Sequence, residues 1–180
     1  IWMDRNLGAT QVATSSNDTA FYGDLYQWGR AADGHEKRTS AITAGPVAAG
    51  SEGANFVTSN AAPHDWLSMK DDTRWGATKT AHDPCPTGYR VPTAAELDAE
   101  LNEFSPKDID GAFESALKLS AASRRLDNGN FELFVGSGGF YWSSTVEGVY
   151  ARNLYLFHSG FADVTVARRN LGYSVRCIKE

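Results

Sequence analysis

Hydrophobic and polar positions along this chain follow two different rhythms, helical in the first two thirds and period-two in the last third. Residues 2–7 read as a short strand, and Phe21, Leu25 and Trp28 fall on one side of a brief helix predicted over 22–30. From 31 to 63 the large apolar residues thin out in favour of Gly, Ala, Ser, Thr and Asn. A non-periodic stretch of that length predicts a long loop, the kind of segment that often carries function. Periodicity returns at Thr93, which can cap a helix while Glu96, three residues on, completes a capping box. The predicted helix runs over 94–104 with Leu97 and Leu101 on one face, and Ser105-Pro106 ends it. A second helical segment over 107–117 spaces Ile109, Phe113 and Leu117 along one side.

Beyond Leu119 the pattern predicts strands at 125–126, 131–135, 140–142, 151–157, 161–167 and 173–178. Asp127-Asn128-Gly129-Asn130 is a hairpin turn signal, because Asn-Gly accepts the positive φ angles of a tight turn. Helices first and antiparallel strands after them predict an α+β fold: two helices, a twisted antiparallel sheet and long loops. At 180 residues, with no internal repeat, one domain over 1–180 accounts for the chain.

Composition narrows the function classes. A net charge of −5 argues against a nucleic-acid partner, which calls for a basic stripe. The two basic pairs, Arg124-Arg125 and Arg168-Arg169, read as solvated strand or turn positions. No run approaches the roughly 20 apolar residues that cross a bilayer, so no direct membrane insertion is expected. The chain opens as folded protein would, without a signal peptide. A mature or trimmed chain would do so, and so would the C-terminal domain of a longer one.

The two cysteines, Cys85 in a Pro-flanked turn and Cys177 near the end, do not form a CxxC pair. A bond between them would close a loop of about 90 residues and be worth roughly 4–5 kcal/mol in the chain-entropy model. The alternative is two buried free thiols in a reducing compartment; the bond implies an oxidising one. An enzyme is not expected. Ser143-Ser144 lacks the glycine-flanked elbow of a hydrolase, and His35, His64 and His82 show no metal-ligand spacing. Asp71-Asp72 and the Asp108, Asp110 pair fall short of the six or so oxygens a calcium cage needs, and the latter suit a helix N-terminus. No cofactor is called for, although the long loop leaves room for a structural calcium ion.

Five separated motifs carry a resemblance that spans the chain. They are Trp2-Met3-Asp4-Arg5-Asn6-Leu7-Gly8-Ala9, Tyr22-Gly23-Asp24-Leu25-Tyr26-Gln27-Trp28-Gly29-Arg30, Asp83-Pro84-Cys85-Pro86-Thr87-Gly88-Tyr89-Arg90-Val91-Pro92-Thr93, Tyr141-Trp142-Ser143-Ser144-Thr145 and Ser174-Val175-Arg176-Cys177. Together they resemble the Fibrobacter succinogenes major paralogous domain family. The resemblance implies a C-type-lectin-like fold on secreted or surface proteins of Bacteroidetes and related bacteria, or of their phages. It also implies a disulfide joining the turn before the helix, here at Cys85, to the last strand, here at Cys177. The segment 141–180 is similar, in addition, to the variable region of proteins diversified by retroelements, where scattered positions change on a fixed scaffold. The segment Arg90-Val91-Pro92-Thr93-Ala94-Ala95-Glu96 is similar to the sulfatase-modifying (formylglycine-generating) enzymes, but their paired reactive cysteine site has no counterpart here. The calcium-dependent sugar motifs Glu-Pro-Asn, Gln-Pro-Asp and Trp-Asn-Asp are absent too.

The candidate ligand-binding, variable positions are Val149, Tyr150, Asn153, Tyr155, Phe157, His158, Phe161, Asp163, Thr165, Arg169 and Tyr173. Alternation sends Asn153, Tyr155 and Phe157 to one face and Leu154 and Leu156 to the core. Rigid aromatics among polar neighbours offer contact area at low entropic cost, which is what recognition surfaces use. The expected function is therefore recognition of a protein or glycan ligand on another cell or surface. A fixed structural or adhesive module of a surface appendage or phage tip is the alternative, and a degenerate enzyme the third reading.

Overall fold

The computed structural model describes residues 1–132 and 135–180. Among the described residues the architecture is α+β, with two short helices against one three-stranded antiparallel sheet and three two-stranded ladders around it. In chain order, β1 (Tyr26–Gln27) pairs with β8 (Gly172–Tyr173), β2 (Ile42–Ala44) runs parallel to β3 (Phe56–Thr58), and β4 (Tyr89–Arg90) pairs with β9 (Ile178–Lys179). Helix α1 (Ala94–Glu103) and helix α2 (Ile109–Glu114) precede the main sheet of β5 (Gly138–Glu147), β6 (Tyr150–Phe157) and β7 (Ala162–Ala167), ordered β5-β6-β7.

The sheet has two buried faces, and strand alternation sorts the residues between them. Leu154, Leu156, Val164 and Tyr141 pack under Leu97, Leu101 and Ile109 of the helices. Phe140, Trp142, Ala151 and Ala167 face the other way, against Trp28, Trp75, Tyr173, Val175 and the disulfide. The sheet is thus covered on both sides over most of its length. Cys85 and Cys177 are bonded, with Cα atoms 5.9 Å apart and a sequence separation of 92.

Several elements differ from the sequence reading. No helix forms over 22–30. A 3₁₀ turn at Thr19–Phe21 is followed by extended chain, because Gly23 and Gly29 adopt φ of 68° and 80°. A Cβ on Gly23 would stand 2.3 Å from the Leu7 carbonyl oxygen, so the close approach also demands glycine. The strand expected at 2–7 reduces to a single bridge from Trp2 to Ile178 and a Leu7 N–H bond to the Val175 carbonyl. The strand at 173–178 divides into β8 and β9. Part of the strand expected at 131–135 lies outside the described residues.

The segment 31–63 is not a free loop. Its Phe56 and Val57 are buried, with Trp66 and Leu67 just beyond it, and Arg30 pins the segment from inside by donating to Asp33 and to the carbonyls of Gly53 and Asn55. Trp66 lies against two guanidiniums, Arg30 at 5.1 Å and Arg74 at 5.0 Å from its ring. The basic pairs are likewise not both solvated. Arg125 and Arg169 are buried, Arg125 donating to the Gly129 and Ser40 carbonyls over the Phe56 ring. Long guanidinium stems can cover apolar surface while the planar head satisfies carbonyls, and a pattern of charges does not reveal that.

The capping box forms as expected. Thr93 Oγ1 accepts from the Glu96 N–H, and Glu96 accepts from the Thr93 N–H at 2.7 Å. Arg90 adds a two-pronged pair to the same carboxylate, at 2.6 and 2.8 Å. That hydrogen-bonded guanidinium lowers the Glu96 carboxyl from 4.5 to about 2, against partial burial, which acts the other way. A carboxyl depressed in the folded state stabilises above its unfolded pKa, and that contribution disappears as pH falls from 4.5 towards about 2. Glu96→Gln should lose on the order of 1 kcal/mol at neutral pH, once solvent screening is allowed for. Thermal melts at pH 7 and pH 3 check this, and an unchanged pH dependence in the variant would remove Glu96 from the account.

Candidate recognition face

The face in question starts with register. On β6 and its neighbours, Tyr155 stands opposite Phe140 on one side and Asp163 on the other, while Asn153 stands between Trp142 and Thr165. All six therefore point from the same side of the sheet. Near the Trp142 row that side is roofed: the Tyr173 ring stacks on Trp142 at 4.3 Å and lies 5.2 Å from Phe140. Towards the β6–β7 turn the cover ends, and the strip opens to solvent through Tyr155, Phe161, Asp163 and Thr165.

The structure separates the eleven expected positions into three groups. Asn153, Arg169 and Tyr173 are 2%, 1% and 2% exposed, so no ligand reaches them in this fold. Asn153 donates to the Thr165 carbonyl at 3.2 Å. Arg169 lies 4.4 Å from the Trp28 ring and pairs with Asp72 at 2.6 Å. Val149 and Tyr150 are exposed, but at the β5–β6 turn, where Gly148 at φ 61° occupies the position that a two-residue hairpin reserves for glycine. An eight-residue strand lies between that turn and the other end of β6, roughly 23 Å at strand rise, so these two do not join the others. Tyr155, Phe157, His158, Phe161, Asp163 and Thr165 do come together around the β6–β7 end.

Within that third group the roles differ. Phe157 meets Phe140 edge to face at 5.5 Å, and a Cβ on its cross-strand partner Gly138 would come within 2.7 Å of the Phe157 ring. Tyr155 is half-buried and touches Phe157 at 6.0 Å and Phe161 at 5.8 Å between centroids. Phe161 is 62% exposed, a large ring held out in water. His158 pairs with Asp110 at 3.0 Å, which raises its pKa. Asp108 caps α2 through Oδ1, as the sequence suggested, while its Oδ2 accepts from the Gly160 N–H at 3.1 Å. The two aspartates thus anchor the β6–β7 turn that carries the ring. That role spans about fifty residues of sequence and left no local signal.

A shallow groove of about 420 Å³ adjoins the strip, with Tyr173, Ala167, Leu126, Arg124 and Arg168 among its walls. Both guanidiniums are engaged. Arg124 pairs with Glu132, lies 4.7 Å from the Phe140 ring and donates to the Tyr173 hydroxyl, while Arg168 pairs with Asp127 at 3.3 Å. The free edge of the sheet is blunted at its middle. The Val164 N–H donates to Asp163 Oδ1 at 2.8 Å, and the Val164 carbonyl accepts from Arg152 at 2.7 Å.

Elsewhere, Asp33, His35 and Glu36 bring their ligand atoms within 4.8 Å of one another. His35 is nonetheless spoken for. Its Nε2 accepts from the Gln27 N–H at 3.0 Å, which leaves the ring proton on Nδ1, 2.6 Å from Asp33. Burial pushes its pKa down, consistent with a neutral ring that holds β1 in place. Ser143 Oγ donates to the Arg152 carbonyl at 2.8 Å, bridging the first two strands of the sheet. Among the described residues, no helix is long and apolar enough to cross a membrane. Compared with family models, curated proteins and solved structures, the chain matches none.

Proposed function

We propose that this chain is a non-catalytic recognition domain of C-type-lectin-like fold that binds a protein or glycan partner through the open end of the β6–β7 face. The observation that carries the reading is the strip of exposed Phe161 and Asp163 with half-buried Tyr155 and Thr165, aromatic and polar side chains at the β6–β7 end of strands whose alternate positions Leu154, Leu156 and Val164 are buried under the helices. Contact residues can then change without changing the frame, which is the physical requirement for display. The disulfide suits a secreted, cell-surface or virion location. Resemblance to retroelement-diversified regions adds that the strip varies between copies of the gene.

Sequencing codons 141–180 across the source population tests this. Substitutions should cluster at Tyr155, Phe157, Phe161, Asp163 and Thr165. Trp142, Asn153, Arg169, Tyr173 and Cys177, all buried, should stay silent. A segment uniform throughout would refute diversification and favour the fixed adhesive module. Changes spread equally over buried and exposed codons would argue against this face as the site.

A further inference from the structure

The strip has a charge character of its own. Asp163 is exposed and stands directly across the ladder from Tyr155, whose ring lies 5.8 Å from that of Phe161 at 43°. Its Oδ1 accepts the Val164 N–H, and among the described residues no cation pairs with the carboxylate. The bases of the adjoining groove and of the β6–β7 turn have other partners, Arg124 with Glu132, Arg168 with Asp127 and His158 with Asp110, and Arg152, on the other face of β6, pairs with Glu147. One uncompensated carboxylate therefore stands across the ladder from half-buried Tyr155, whose ring touches the exposed ring of Phe161.

Aromatic faces and a carboxylate attract the same thing, a cation. An anionic or purely apolar partner would cover Asp163 and leave a desolvated, unpaired charge, which is costly. The chain's net charge of −5 steers in the same direction. Building on the recognition reading above, we propose that the partner is a basic protein surface that seats an arginine or lysine side chain against Tyr155 and Phe161 with its charge on Asp163.

The test is a titration of the isotopically labelled chain with acetyl-Gly-Arg-Gly-amide, followed by NMR. The glutamine peptide serves as neutral control, and a neutral oligosaccharide, cellotetraose, as competitor class. The arginine peptide should shift Tyr155, Phe161, Asp163 and Thr165 resonances saturably, and more weakly as salt rises. Asp163→Asn keeps an acceptor for the Val164 N–H and should weaken that binding about three- to tenfold, as should Phe161→Ser. Equal binding of the glutamine peptide, or a preference for cellotetraose at the same resonances, would overturn the basic partner while leaving the face as the recognition site. Silence of these resonances towards every probe would count against both proposals.

Discussion

Replacing Cys85 and Cys177 together by serine should lower stability by about 4–5 kcal/mol, the largest loss expected from any change away from the recognition face. The bond closes 92 residues, more than half of the chain, and it ties the turn before α1 to the final strand. In the chain-entropy model its effect lies in the unfolded state, where it removes conformations that the reduced chain would regain. Small domains have only about 5–15 kcal/mol of total stability, so the serine variant should melt far earlier, at a temperature that a reductant no longer alters. Urea titrations of the oxidised, reduced and serine forms measure the difference. A reduced protein unfolding within about 1 kcal/mol of the oxidised one would show that the packing around Trp142 and Val175 already holds those ends together.

Trp142→Ala should cost about 3–5 kcal/mol, as large aromatic truncations in cores do. The indole is fully buried, stacks on Tyr173 at 4.3 Å and donates from Nε1 to the Tyr26 carbonyl at 2.7 Å. Truncation leaves a cavity and an unpaired buried carbonyl, and it frees the Tyr173 ring that roofs the strip. Phe161→Ser, at the exposed ring of the β6–β7 turn, should change stability by less than about 0.5 kcal/mol. Denaturation midpoints of the two variants measure the contrast. A loss below about 1 kcal/mol for Trp142→Ala would mean that the core collapses around the gap, and that the frame is softer than a display scaffold requires.

How much was legible beforehand differs from element to element. The capping box at Thr93 and Glu96, the start of α1, the Asn-Gly turn and the alternation of β6 are local. Each depends on residues within about four positions, where side-chain chemistry and backbone geometry act directly, and each could be read from the chain. The cysteine pairing was legible as a proposal and is present in the structure. What sequence could not reveal was occlusion. Asn153, Arg169 and Tyr173 share their pattern with exposed positions, yet Trp28, Trp142 and the Thr165 carbonyl take them inside. The segment at 31–63 likewise lacks periodicity because Arg30 and Arg74 hold it through bonds to Asp33, Gly53, Asn55 and Glu52 that carry no repeat.

The sequence by itself thus determined the helix cap at Thr93, the Asn-Gly turn, the alternation of β6, the α+β order and which strand end carries rings beside polar groups. Only the tertiary structure decided which of those rings meet water. Exposure is set by what packs on top: Tyr173 roofs Trp142 and Phe140, and Trp28, more than a hundred positions away in the chain, takes Arg169 inside. No short-range pattern encodes a roof supplied by the other end of the chain.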